Sequence, residues 1–295
     1  METLIANISH RCSVEDAYAL CETLAKTHYE NFTIGSWLLP KEYRQHFYAI
    51  YGFCRFVDDL GDEFHGDREQ ALDFWEQELE RCYSSSPRHP YMIALQHTIR
   101  SFDIPQKPFL NLIHANRMDQ LKTRYFSYKD VESYCRYSAN PVGHLILYVC
   151  GYRDPVRQKL SDYTCTALQL TNFWQDVIRD FAIGRIYIPL EDLEAFGYSE
   201  EELAKAKVTD SFRKLMAFQV DRTRDLFQKG LKLVNNLEGK FKLDVALFSE
   251  GGLKILDTIE RQNFDVLSRR PEVSRITKTH LMLKTIFKLK FLRMI

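Results

Sequence analysis

Two rows of carboxylates are the first residues in this chain whose types and spacing could do chemistry. The stretch Tyr51-Gly52-Phe53-Cys54-Arg55-Phe56-Val57-Asp58-Asp59-Leu60-Gly61-Asp62-Glu63 reads as helix and puts Asp58 and Asp62 one turn apart on one face. Like charges at that spacing cost an unaided helix roughly 0.2–0.5 kcal/mol, so a counter-cation between them is the physically sensible arrangement. Oxygen-only donors, Asp58, Asp59 and Asp62, select Mg²⁺ over zinc. Taken alone, the cluster is equally compatible with a solvated acidic face. Its flanks favour a site: Arg55 and Tyr51 lie three and seven residues before Asp58, and Phe47, Tyr48, Ile50, Phe53 and Phe56 are too apolar for a wet surface. Acids rising from an aromatic helix describe a cavity whose mouth binds metal and whose depth is greasy.

The second row has stricter spacing. Asn172, Asp176 and Asp180 stand at i, i+4 and i+8, a straight line down one helix face. A capped polar stripe is the alternative, but Leu168, Leu170, Phe173, Trp174 and Val177 make the rest of that helix apolar. Two such rows on two helices are expected to face each other across a cavity. Together they could hold several Mg²⁺ ions, each bridging carboxylates to a diphosphate that a protein anion could not otherwise approach.

The elements that must position these rows are helices. Twelve Gly and nine Pro leave long uninterrupted segments whose apolar residues recur at three- and four-residue spacing. Ser13 with Asp16 opens a helix to about His28, Asn31–Pro40 breaks it at Gly35, and a second runs from Pro40 to Asp62. Gly66-Asp67, Ser84–Pro87 and Asp103–Pro105 punctuate shorter helices, and Ser127 with Asp130 caps the one entering Tyr134. Asn140-Pro141-Val142-Gly143 is expected to kink that helix against a cavity rather than end it. Asp154-Pro155 starts a helix through Asp180, Gly184–Pro189 reads as a loop with short extended character, and Ser199 with Glu202 forms a capping box. Periodic stretches over Asp210–Leu237, Leu243–Leu267 and Ser274–Leu292 complete an all-α chain. No repeat or Gly/Pro/Ser-rich linker divides it, so residues 1–295 are expected to form a single domain.

Composition removes several function classes. Forty Lys+Arg against forty Asp+Glu give net charge +0, which argues against nucleic acid as a partner. The start, Met1 to Asp16, has no apolar core of a secretory signal, and no stretch has the ~20 uncharged apolar residues of a membrane span. Seven cysteines, none as C-x-x-C, indicate neither a disulfide framework nor a zinc knuckle, and point to a reducing, cytoplasmic setting.

These motifs, in this order and separation, resemble the squalene and phytoene synthases of isoprenoid metabolism. The resemblance runs over His28–Phe32, Leu38–Pro40, Ala49–Asp62, Tyr134–Gly143, Gln169–Asp180 with Gly184–Pro189, and Ile255–Arg270. It implies an all-α isoprenoid-synthase bundle around a hydrophobic channel, with Asp58, Asp59 and Asp62 as the first Mg²⁺ motif and Asn172, Asp176 and Asp180 as the second. By the same carry-over, His28, Arg55 and Arg185, with one of Arg269 and Arg270, would contact diphosphate. Tyr51 and Tyr134 match tyrosines placed near the reacting carbons, where ring faces stabilise carbocations by about 0.5–2 kcal/mol. The implied catalytic set is therefore Tyr51, Asp58, Asp62, Tyr134 and Asp176.

Departures from the family pattern narrow the branch. His28-Tyr29-Glu30-Asn31-Phe32 replaces a hydroxyl-rich motif, Gln175 stands where many members carry Arg, Ser138-Ala139-Asn140-Pro141 replaces an Ala-Gly, and Gly251-Gly252 replaces an aromatic before Ile255-Leu256-Asp257. In these respects the chain is similar to the bacterial hydroxysqualene synthase branch of hopanoid biosynthesis. That resemblance implies presqualene diphosphate as substrate, ionised with Mg²⁺ and captured by water, with a presqualene diphosphate synthase as a candidate partner. The alternative is a condensing synthase that joins two allylic diphosphates such as farnesyl diphosphate. The expected pocket lining is Tyr51, Phe53, Tyr134, Leu145 and Phe173. Asn140 is a candidate to hold the quenching water, although a kink amide satisfying freed backbone groups is the stronger reading. The segment Arg269–Ile295 carries eight Lys/Arg against Glu272 alone, so it could lie peripherally on the inner face of a membrane or simply pack with snorkelling lysines.

Overall fold

The structure, a computed structural model, describes residues 12–27, 41–239 and 241–287. His28, the segments 28–32 and 38–40, and the C-terminal Phe291 and Leu292 lie outside the described residues. Thirteen α-helices are described: α1 Val14–Thr27, α2 Lys41–Asp62, α3 Arg68–Ser84, α4 Pro90–Phe102, α5 Lys107–Leu121, α6 Tyr128–Ser138, α7 Asn140–Val149, α8 Pro155–Ala182, α9 Leu190–Ala195, α10 Glu200–Ala204, α11 Asp210–Gly230, α12 Phe241–Arg261 and α13 Arg275–Phe287. A 3₁₀ turn, Leu231–Asn236, follows α11. No strand occurs among the described residues, and the Gly184–Pro189 loop has its extended character in one isolated parallel bridge between Arg124 and Ile186.

The helix starts follow from local chemistry. Ser13 Oγ accepts from the Asp16 amide, while Ser127/Asp130 and Ser199/Glu202 form complete capping boxes on α6 and α10. Pro155 occupies the first position of α8, where its missing N–H costs nothing. The expected kink at Asn140–Gly143 is instead a stop and restart. Helix α6 closes at Ser138 with Ala139 as its cap, and α7 begins at Asn140 with Pro141 in its first turn. Helix α12 ends at Arg261, six residues short of the expected Leu267. Asn263 and Phe264 there take left-handed backbone angles that no helix continues through.

The chain divides into two compact units, residues 1–121 with 141–154, and residues 122–140 with 155–295. In the first unit α2 is central, packed on α1, α3, α4 and α5. Its core joins Phe53, Trp75 and Phe109, all fully buried, with Phe53 5.7 Å from the Trp75 ring and 5.0 Å from Phe109. Each such side chain contributes about 1.5–3 kcal/mol by leaving water. Phe53 is thus core, as is the fully buried Leu145, rather than exposed pocket lining. In the second unit α8 is central, packed on α6, α11 and α12. Trp174 of α8 is fully buried and donates its Nε1–H to Thr223 Oγ1 at 2.8 Å, so α11 is pinned to α8 by a satisfied indole. Gly252 lets α12 close on this pair, since a Cβ there would collide with Phe227.

Candidate active site

In the first unit the last two turns of α2 carry the first acidic motif. Asp58 and Asp62 open to solvent, while Asp59 is ion-paired with Arg55 at 2.5 Å. Arg55 also reaches Glu63 at 2.9 Å, so one guanidinium serves two carboxylates in an i, i+4, i+8 row. Its Nε is buried without a hydrogen-bond partner, a donor left over for an anion.

Asn116 of α5 was not legible in the sequence as part of this site. Its Nδ2 donates to Asp58 Oδ1 at 3.2 Å, and that approach requires Gly61, where a Cβ would collide with Asn116 Oδ1. Two further side chains satisfy the helix end: Gln120 Nε2 donates to the Gly61 carbonyl at 3.0 Å and Arg68 Nη2 to the Asp62 carbonyl at 2.9 Å. Although the tip of Asp58 reaches solvent, the protein crowded around it pushes its carboxyl up to about 7. The Asn116 hydrogen bond opposes this and the Asp62 charge adds to it. Tyr51, half-buried on the same helix, is raised chiefly by burial.

The second unit presents the other motif on α8. Asn172 is exposed, Asp180 is half-buried, and Asp176 has backbone angles φ −108° and ψ 15°. The expected straight row is therefore bent at its middle member. Angles of this kind inside a helix mark a position held by its surroundings, and the holder is Arg270. Its Nε donates to Asp176 Oδ1 at 2.7 Å and its Nη2 to Oδ2 at 2.9 Å. Arg179 adds a longer contact at 3.5 Å. Next to it, Gln175 Nε2 donates to the Pro271 carbonyl at 2.7 Å. Of the two neighbouring arginines, Arg270 is turned onto the acidic row and Arg269 is exposed. Arg185 donates its backbone N–H to the Asp180 carbonyl at 2.8 Å, and its side chain lines a small cleft with Asp180, Phe173 and Tyr187.

Beside this row lies an aromatic cluster. Tyr134, 4% exposed, sits 5.5 Å from Tyr125, 5.7 Å from Tyr187 and 6.2 Å from Phe173, measured between ring centres. Phe173 and Tyr187 stack at 3.7 Å. Tyr125 and Tyr187 were missed in the sequence because single tyrosines in loops carry no periodic signal. Asn140, 6% exposed, has its carbonyl oxygen occupied by the Thr166 hydroxyl at 2.9 Å.

Among the described residues no three His, Cys, Asp or Glu side chains converge on one point as they stand. The donors of α2 nevertheless fit a hard divalent cation. They are oxygen only, Asp58 gains from any added positive charge, and they lie at the negative end of the helix dipole. Each oxygen of Asp176 accepts one N–H from Arg270 and keeps a second lone pair that could face such an ion, against the charge of the guanidinium.

Comparison with known proteins identifies the family. The family model for squalene/phytoene synthase matches residues 25–277. The 15-cis-phytoene synthase of Synechocystis sp. is 34% identical over 278 residues, covering 88% of this chain and 82% of that protein. Phytoene synthase 2 of Oryza sativa is 33% identical over 271 residues, covering 89% and 68%. Among solved structures, squalene synthase HpnC from Alicyclobacillus acidocaldarius superposes with a TM-score of 0.82 at 45% identity, covering 85% of this chain and 95% of that one. Enzymes of this family act on prenyl diphosphates with a divalent metal. With both acidic motifs placed on long helices and a family match that covers most of its length, this all-α chain belongs to the squalene/phytoene synthases.

Proposed function

We propose that this chain ionises presqualene diphosphate and captures the resulting cation with water, giving hydroxysqualene and diphosphate. The observation that carries the reading is Gln175. Where many relatives present an arginine, a neutral amide here spends its donor on the Pro271 carbonyl at 2.7 Å, so α8 offers no cation at that point to a second diphosphate. A substrate with one diphosphate suits that arrangement. The 45% identity to the HpnC structure also supports it.

Each residue then has a role. Asp58, Asp59 and Asp62 on α2, and Asn172, Asp176 and Asp180 on α8, are the residues that would hold Mg²⁺, which would supply positive charge to a departing diphosphate. Arg55 offers its unspent Nε–H to a phosphate oxygen, and Arg185 and Arg270 add positive charge beside the second motif. Outside the described residues, His28 completes the diphosphate contacts by family position. Tyr134 and its aromatic neighbours exclude water and stabilise the cation through their ring faces, a role that Tyr51 of α2 would share by family position alone. An upstream presqualene diphosphate synthase supplies the substrate.

Both substrate and product are lipids, which favours a cytoplasmic enzyme in peripheral contact with the membrane. No described helix is long and apolar enough to cross a membrane. Helix α13 exposes Ile276, Leu283 and Phe287 among basic residues, as an interfacial helix would. A second reading, a condensing synthase, rests on the phytoene synthases among the relatives.

Incubation of the purified protein with Mg²⁺ and either presqualene diphosphate or farnesyl diphosphate, with products identified by mass spectrometry, separates the two. Hydroxysqualene from the first substrate and nothing condensed from the second is the expected result. Presqualene diphosphate, phytoene-type product or squalene from allylic diphosphates would establish the condensing enzyme instead.

A further inference from the structure

Three carboxylates outside the two motifs are buried among the described residues. Glu78 accepts from the Arg88 and His89 amides and pairs with Arg81, and Asp192 accepts from Gln219 and from both terminal nitrogens of Arg222. Asp244, in the first turn of α12, is 5% exposed with neither side-chain oxygen hydrogen-bonded, and it destabilises the fold. A buried amide, by contrast, reaches into a motif: Asn116 of α5, 8% exposed, meets Asp58 of α2.

The contacts of Asn116 fix which way its amide points. Nδ2 donates one hydrogen to Asp58 Oδ1 and the other to the Leu112 carbonyl, both at 3.2 Å. Turned over, the side chain would set its own oxygen against those two acceptors, so the orientation is determined. The amide oxygen then faces Gly61, three residues after Asp58 on the same side of α2, where a Cβ would take its place. Gln120, one turn beyond Asn116, donates from Nε2 to the Gly61 carbonyl and to the Asn116 carbonyl, each at 3.0 Å, and Arg68 of α3 holds the Asp62 carbonyl at 2.9 Å. The turn that carries Asp58 and Asp62 is thus gripped from α5 and from α3. Asp58 Oδ1 is engaged by the amide, and Oδ2 has no hydrogen-bond partner among the described residues.

We propose that Asn116 is the positioning residue of the first metal motif: by holding one oxygen of Asp58 it fixes the carboxylate and leaves the other oxygen for a divalent cation, and Gly61 is the position that admits it. The inference rests on Asp58 being a metal ligand, as in the reading above. A free aspartate side chain on a helix surface samples several rotamers, and a cation must stop that motion when it binds. A carboxylate already held by a neutral donor loses less entropy on binding and keeps its full charge. A lysine or arginine in place of Asn116 would hold Asp58 as firmly but cancel the charge that attracts the ion, the condition that Arg55 imposes on Asp59. The neutral amide is the donor that suits the role.

The test measures Mn²⁺ binding to the full-length protein without substrate, with free and bound ion distinguished by electron paramagnetic resonance. The proteins are wild type, Asn116→Leu, Gly61→Ala, the double variant and Asp58→Asn. Leucine removes the donor at similar volume, whereas Gly61→Ala leaves both partners in the chain and pushes the amide away from Asp58. Each single change is expected to weaken Mn²⁺ binding by about tenfold or more, as loss of a group that orients a metal ligand does. The double variant is expected to bind no more weakly than the weaker single one, because both changes remove the same contact. Thermal melts establish that each variant is folded, and Asn116→Leu decides alone if Gly61→Ala does not fold. Unchanged affinity in either folded single variant, with Asp58→Asn still weakening it, overturns the positioning role and leaves Asp58 as a ligand; so does a double variant in which the two losses add. Absence of bound Mn²⁺ in wild type, or undiminished binding in Asp58→Asn, overturns the ligand reading and the proposal with it.

Discussion

Arg270 reaches back 94 residues to hold both carboxylate oxygens of Asp176, at 2.7 and 2.9 Å. The central acid of the second motif is thereby neutralised by a guanidinium, at the one point where α8 leaves helical geometry. The arginine is placed by an uncommon turn: Asn263 and Phe264 both have positive φ, and Arg213 donates to the Asn263 carbonyl. A cation that must later bind Asp176 competes with this fork.

Replacing Arg270 with Lys tests that competition. Lysine keeps the charge but cannot grip two oxygens in plane. We expect Arg270→Lys to lose about 1–3 kcal/mol of stability from the loosened buried-edge pair. It should lower turnover of the prenyl diphosphate substrate at least tenfold, yet reach half-maximal activation at lower Mg²⁺ than wild type. A Mg²⁺ titration of diphosphate release reads both effects, and a requirement for more Mg²⁺ would show that Arg270 assists the metal rather than competes with it.

The first motif is expected to respond in the opposite sense. Asp58 and Asp62 are the exposed acids of the first motif, whereas Asp59 is already engaged by Arg55. Asp62→Asn removes one oxygen charge without changing shape. It should raise the Mg²⁺ concentration for half-activation about tenfold or more, and excess chelator should abolish activity in wild type. Equal Mg²⁺ dependence in the variant and wild type would remove Asp62 from the metal site.

How much of this was readable from residues alone follows from which interactions are local. Capping boxes at Ser127/Asp130 and Ser199/Glu202 act over three residues, and the helix faces bearing Asp58/Asp62 and Asn172/Asp176/Asp180 follow from a 3.6-residue period. The family motifs added the fold. What stayed hidden depends on tertiary approach. Asn116 meets Asp58 only because Gly61 leaves room, Tyr125 and Tyr187 join Tyr134 from loops, and Asp176 bends under a partner 94 residues away. Asp244 was invisible for a related reason, since an acid in the first turn of a helix is ordinary until its burial is known. The early end of α12 at Arg261 belongs with these, because Asn263 and Phe264 show no sequence signal strong enough to stop a periodic helix.

Acid sensitivity is expected to come partly from His89. This side chain, 7% exposed, caps α4 by accepting the Tyr91 N–H on Nδ1 at 3.2 Å, and packs on Trp75 and Phe56. Burial lowers it from 6.5 to about 4. The unfolded chain therefore binds a proton that the folded chain refuses between those values, and stability falls as pH drops from 6.5 towards 4. At about 1.4 kcal/mol per pH unit, the loss is on the order of 3 kcal/mol. His89→Asn keeps a capping acceptor and removes the titration. Its melting temperature should start lower at pH 7 because the aromatic packing is lost, then decline less than that of wild type down to pH 4.5. Parallel declines would place the acid sensitivity elsewhere.

Asp244 gives the opposite slope. Its carboxyl is raised by burial from 3.8 to about 8, so between these values the folded chain keeps a proton that the unfolded chain releases. Stability contributed at this site therefore falls as pH rises through the window, by on the order of 1 kcal/mol per pH unit. Above about 8 the folded group ionises too and the slope ends. Asp244→Leu removes the titrating group and fills the site with apolar volume, so its advantage over wild type should be smallest near pH 4 and grow to a maximum near pH 8. For a chain of this size each kcal/mol moves the melting temperature by about 2–4 °C, which makes the divergence measurable by circular dichroism at pH 5, 6.5 and 8. A pH-independent gap between the two proteins would mean that Asp244 is charged and satisfied in the folded state.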